Sequence, residues 1–195
     1  MRKRQQTKRS KGLLYISMIL FAGMFQTSCL DEIVPGNYYT FTGETIADYL
    51  ENRDSIFSDY IYCLKSAGRW GEMSSYGDYT CFAPTNEAVD KYLKEQNDIY
   101  WSSLEAGDPI WTGVTSPELS ELSDSMCKVI SQTHILADIY LTTDMDGDII
   151  PTMNMNDRYL SLGYDVDENN HNVLLINGTS EIIAKDEEVV NGVVH

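Results

Sequence analysis

The spacing of apolar residues changes once along this chain, near residue 135, and that change limits the folds open to it. Before it, apolar side chains recur at helical steps. Ile56, Phe57, Tyr60, Ile61, Leu64 and Ala67 fall on one helix face. Asp54 or Ser55 is placed to cap that helix and Gly68 to close it. A shorter helix precedes it, opened by a Thr45–Asp48 capping box and ending near Asn52. After residue 135 short β-prone runs alternate with turn residues: 139–141, 149–153, 159–162, 173–176, 181–184 and 189–194. Asn177-Gly178 is a hairpin turn, and an acidic loop runs from Asp165 to Asn172. Helices first and strands later predict an α+β fold.

Between the two regimes lies a sharp corner. Residues 79–83 are β-prone and are stopped by Pro84, which lacks the N–H a strand needs. Thr85 then caps a helix through Leu93, with Glu87 facing the positive end of its dipole. Residues 94–115 show no period and contain Gly107, Pro109 and Gly113, which predicts an irregular insertion. Ser116 and Pro117 restart order as N-cap and first helical residue, with Leu119, Leu122, Met126 and Ile130 as the buried stripe.

The first residues read as an address rather than as fold. Arg2, Lys3, Arg4, Lys8, Arg9 and Lys11 precede an apolar run over 13–25. That run is short of the roughly 20 residues a spanning helix needs, and it reads as an export signal. Gln26-Thr27-Ser28-Cys29 follows and resembles a lipobox, with Gln26 where Leu is usual. The resemblance implies cleavage after residue 28 and acylation of Cys29, giving the two or more chains that stable anchoring requires. Leu30, Asp31 and Glu32 resemble the surface-export tag of lipoproteins in one Gram-negative phylum. The expected layout is a lipoprotein signal peptide over 1–28, a tether over 29–42 and a domain over 43–195. The expected location is the outer membrane, facing the exterior.

Charge narrows the partners. The signal holds six of the 14 basic residues and no acid, so the remainder carries 8 Lys/Arg against 30 Asp/Glu, a net −22. Such a surface repels nucleic acid and anionic headgroups. Past the lipobox, Cys63, Cys81 and Cys127 remain. One disulfide with a thiol left over, or buried free thiols, both fit an exported chain. There is no C-x-x-C, and neither zinc nor thioredoxin-like chemistry has support in the spacing.

Two segments carry a family resemblance. Residues 79–93 (YTCFAPTNEAVDKYL) resemble the first signature of fasciclin domains, with Pro84, Thr85 and Asn86 at the strand-to-helix corner. Residues 173–195 (VLLINGTSEIIAKDEEVVNGVVH) resemble the second, ending in Asn191, Gly192 and His195. His134, in Thr133-His134-Ile135-Leu136, falls where the family has a helix ending in His before a strand. The resemblance covers roughly 43–195. It implies a wedge of β-strands in two packed sheets, with several short helices in the N-terminal half. It also implies adhesion or extracellular ligand binding, with both histidines structural. The integrin-binding animal members carry a Tyr-His pair; here Thr133 precedes His134, which removes the reason to expect integrin-type binding. The family pattern continues past its last motif, so the last strand is expected to be short or missing, unless the protein continues.

Other motifs carry less. Asp144-Met145-Asp146-Gly147-Asp148 starts like a calcium loop, but Ile149 and Met155 stand where Gly and an acid are needed, so a polar turn is expected. Asp165, Asp167 and Glu168 read as a solvated loop. Tyr100, Trp101 and Trp111 either stack on a glycan or pin the insertion to the core. Asp54-Ser55-Ile56 and Asp124-Ser125-Met126 resemble the O-glycosylation triplet of the same phylum, making Ser55 and Ser125 candidate acceptors. Asn177-Gly178-Thr179 is formally a sequon, which a bacterial signal makes irrelevant. No G-x-S-x-G, P-loop, G-x-G-x-x-G or H-E-x-x-H is present, and His134, His171 and His195 lack metal-ligand spacing. The expectation is a lipid-anchored, non-catalytic binding or adhesion module without cofactor or metal, meeting an extracellular protein or glycan. The alternative is a glycan-binding accessory lipoprotein of a nutrient-uptake system.

Overall fold

The computed structural model describes residues 43–145, 149–166 and 170–195. Three helices come first: α1 (Ile46–Glu51), α2 (Asp54–Ser66) and the single turn α3 (Trp70–Met73). Thr45 and Asp48 close the reciprocal capping box. Neither Asp54 nor Ser55 caps α2. Asp54 is already its first residue, and Arg53 precedes it with no side-chain cap. The other end closes as a Schellman turn. Gly68, at φ +69°, sends its N–H to the Lys65 carbonyl, and Arg69 N–H reaches the Leu64 carbonyl. Ile56 is exposed rather than buried, because Phe57, Tyr60, Ile61 and Leu64 fill the inner face without it.

Strand β1 (Tyr79–Cys81) is shorter than the apolar run, but its ladder continues. Phe82 N–H bonds the His134 carbonyl and Ala83 N–H the His195 carbonyl, each at 2.9 Å. Helix α4 (Asn86–Glu105) does not stop at Leu93, so half of the expected irregular insertion is helical. Residues 94–105 contain neither Gly nor Pro, and Lys94–Asp90 at 2.8 Å and Lys91–Glu95 at 3.9 Å brace the preceding turns. Its period was hidden because few of its residues are buried. Helix α5 (Asp124–Thr133) begins later than Ser116-Pro117 suggests: Ser123 is the N-cap, accepting from Met126 N–H. Leu119 lies instead in a 3-10 turn, Leu119–Glu121.

Strands β2 (Ile135–Leu136), β6 (Glu187–Val189) and β7 (Gly192–Val194) join β1 in a sheet ordered β2-β1-β7-β6. The central pair β1–β7 is parallel, with Thr80 opposite Val193; the outer pairs are antiparallel. A second, antiparallel sheet holds β3 (Leu162–Val166), β4 (Asn172–Ile176) and β5 (Ser180–Glu181). Residues 139–141 form no strand. Residues 149–153 contribute one isolated bridge, Ile149 to Ser161. The expected 159–162 strand starts at its far end and runs through Asp165, which pairs with Val173 rather than lying in a loop.

Alternation along the strands builds two cores. Cys81, Ile135 and Val194 face the helices with Leu50, Tyr60, Leu64 and Cys127. Their neighbours Phe82 and Leu136 face the other way, onto Leu162, Leu174 and Ile176 of the second sheet. Each such side chain contributes about 1.5–3 kcal/mol by leaving water. The fold is α+β, with helices on one side of the first sheet and the second sheet on the other. Among the described residues no helix is long and apolar enough to cross a membrane.

Candidate functional site

The end of α4 and the loop behind it bring Tyr100, Trp101 and Trp111 together. Gly107, at φ +79°, ends the helix: its N–H bonds the Leu104 carbonyl and Asp108 N–H the Ser103 carbonyl. The buried Ser103 hydroxyl donates to the Tyr100 carbonyl and accepts from Ile110 N–H, both at 2.8 Å, which folds the loop back along the helix. Val114 is buried and anchors the far side. Trp101 Nε1 lies 3.1 Å from Asn97 Oδ1 and 3.2 Å from the Thr115 carbonyl.

Tyr100 is the hub. Trp101 meets it edge-on at 5.2 Å between centroids, and Trp111 at 5.7 Å. These contacts fix the rings but do not hide them: Trp101 is 48% and Trp111 73% exposed. A Trp that open leaves on the order of 150 Å² in water, about 4 kcal/mol of unused burial at ~25 cal/mol per Å². Ile110 and Leu104 extend the apolar surface. From residue 95 to 127 the chain has seven acids and no Lys or Arg. The cluster is therefore apolar and lies in an acidic stretch of the chain.

The signature residues lie elsewhere, inside the scaffold. Thr85 caps α4 through Ala88 N–H. Asn86 does not cap; it reaches α2, accepting from Asp59 N–H at 3.0 Å and donating to Ser58 Oγ. Pro84 stands between β1 and that cap. Asn191 is fully buried. It accepts from Ile46 N–H at 2.8 Å and donates to the Met73 and Ser75 carbonyls at 2.8 and 2.9 Å. At Gly192, φ +154°, any Cβ would run into the Tyr79 carbonyl oxygen, so only Gly lets β7 close on β1.

His134 ends α5, its Nδ1 donating to the Ile130 carbonyl at 2.7 Å and its ring edge-on to Tyr60. The His195 ring is stacked on Phe82 at 5.1 Å. Its Nδ1 accepts from Asp186 N–H at 3.2 Å, so Nε2 carries the proton toward the Tyr140 carbonyl at 2.9 Å. Burial pulls both histidines below their ordinary value and keeps them neutral. Burial alone would raise Asp186, but hydrogen bonds from the Thr142 hydroxyl and N–H outweigh it and hold the carboxyl low. The sequence carries no local signal for this Thr142–Asp186–His195 chain, because 44 residues separate Thr142 from Asp186.

Ser55 and Ser125 are both exposed in the first turns of α2 and α5. Asp144 caps its own turn through Leu141 N–H, while 146–148, 167 and 168 lie outside the described residues, as does Cys29. Among the described residues no three His, Cys, Asp or Glu side chains converge on a metal position.

Comparison with known proteins matches this arrangement to one family. The fasciclin domain profile matches residues 55–195. Among solved structures, a FAS1 domain pair from the insect cell adhesion molecule fasciclin I superposes with a TM-score of 0.52 at 19% identity. The match covers 77% of this chain and 48% of that one, so the chain spans about half of the solved pair. No curated protein matches the sequence. With the profile running over most of its length and the fold agreeing, the chain belongs to the fasciclin domain family.

Proposed function

We propose that this chain is a non-catalytic binding module of the cell exterior, anchored by lipid on Cys29, which meets its ligand through Tyr100, Trp101 and Trp111. The observation that carries the reading is the exposure of two tryptophans that a monomeric fold gains nothing by leaving in water. The fasciclin family supplies adhesion-type modules, and the basic and apolar N-terminus ending at Cys29 supplies the anchor. The non-catalytic part is supported by chemistry. His134 and His195 are neutral and engaged, and burial pushes the Cys63 and Cys127 thiols up and Cys81 to about 12, away from nucleophilic thiolate.

A more specific reading, an uncharged glycan as ligand, is favoured by the same cluster. Flat rings stack on sugar faces, and the surrounding acids disfavour anionic polymers. Ser55 and Ser125, both exposed, are proposed as O-glycosylation acceptors. The test is capture of neutral polysaccharides, acidic polysaccharides and envelope proteins by the full surface protein, wild type against Trp101→Ala/Trp111→Ala. Retention of a ligand that falls at least tenfold in the double variant is expected. Undiminished retention removes the aromatic cluster from the account.

A further inference from the structure

We infer that Cys63 and Cys127 form the protein's one disulfide, leaving Cys81 as the odd thiol. The inference rests in part on the exported location proposed above. Helices α2 and α5 pack against each other, and Tyr60 of α2 reaches the Ser131 carbonyl of α5. One helical turn along α2, and one turn back along α5, the same contact brings Cys63 opposite Cys127. There the two side chains are near enough to influence each other's charge, and the structure holds both as free thiols. Both residues are fully buried. Cys81 has a different neighbour, the Tyr60 hydroxyl at 3.8 Å.

The step balances as a thiol–disulfide exchange with a small or protein disulfide as oxidant. Two S–H bonds and the oxidant's S–S bond break, the Cys63–Cys127 S–S bond forms, and two electrons and two protons leave on the two released thiols. Burial and raised pKa values keep the folded thiols protonated, so the exchange belongs to the stage at which α2 and α5 are docking rather than to the finished fold. The loop so closed, residues 64–126, contains α4 and all three clustered aromatics. The link therefore ties both ends of the aromatic segment to one helix pair.

The test has two arms, both read by peptide mapping without reductant. In the first, the full chain is recovered from the envelope of an exporting host. In the second, the full Cys29→Ala chain is unfolded, reduced and refolded with glutathione disulfide. A peptide pair joined through Cys63 and Cys127, lighter by two hydrogens than the reduced peptides, is expected in both, with Cys81 free to alkylation. The link in the refolded chain with free thiols in the envelope chain overturns the inference that the exported protein carries the bond. Free Cys63 and Cys127 in the refolded chain, or either joined to Cys81, overturns the inference.

Discussion

Replacing Asn191 by Ala should remove a large share of the margin by which this domain is folded. The side chain is fully buried and makes three hydrogen bonds, to Ile46 N–H and to the Met73 and Ser75 carbonyls. At about 1 kcal/mol each, the three together contribute about 3 kcal/mol. The Ile46 N–H lies in the first turn of α1, where no intrahelical acceptor exists, so baring it adds about 1–3 kcal/mol more. The expected loss is about 4–6 kcal/mol, against a typical total of about 5–15. With an m-value of about 2 kcal/mol per M, the urea midpoint should fall by about 2–3 M. Equilibrium unfolding followed by far-ultraviolet circular dichroism and by tryptophan fluorescence measures it. Asn191→Asp should not rescue: it keeps an oxygen for Ile46 but loses both donors and faces two carbonyls with a charge. A loss below about 1 kcal/mol, or rescue by Asp, would refute the reasoning.

Other outcomes follow from the same geometry. Gly192→Ala should cost about 2 kcal/mol or more by the same urea assay, because the new Cβ meets the Tyr79 carbonyl and the backbone is at φ +154°. Stability should fall with acid. His134 and His195 titrate lower folded than unfolded, so between the unfolded value of about 6.5 and the folded values the unfolded chain binds more protons. Their contribution is complete above about pH 7 and is lost below it at up to about 1.4 kcal/mol per pH unit for each ring; an unchanged midpoint from pH 7 to pH 5 contradicts this. Trp111→Ala should change stability by no more than about 0.5 kcal/mol while lowering ligand retention, since its ring is mostly in water. Metabolic labelling with palmitate should mark the wild type and not Cys29→Ala.

The scaffold was legible where local chemistry dominates. The Thr45–Asp48 box, the Gly68 turn, the Pro84–Thr85 corner and the Asn177-Gly178 hairpin each need particular residue types, and those residues stand in the sequence. What stayed hidden depends on partners far along the chain. Asn191 is read from the sequence only as part of a signature, yet its amide serves α1 and α3. Asp186 and His195 meet Thr142 and Tyr140 only because the β6–β7 hairpin folds against them. Helix α4 ran past Leu93 because solvent-facing helices leave no apolar stripe to count. The aromatic trio was visible as composition, while its convergence required that helix to bring Tyr100 back under Trp111.

The parallel pairing of β1 with β7 holds the two signature segments in one core, and the adhesive reading depends on that core. Backbone NOEs in the isotopically labelled protein test it directly. A parallel ladder aligning Tyr79, Thr80 and Cys81 with Gly192, Val193 and Val194 is the predicted result. Cross-strand NOEs placing residues 79–81 beside any other segment, or none to 192–194, would contradict it.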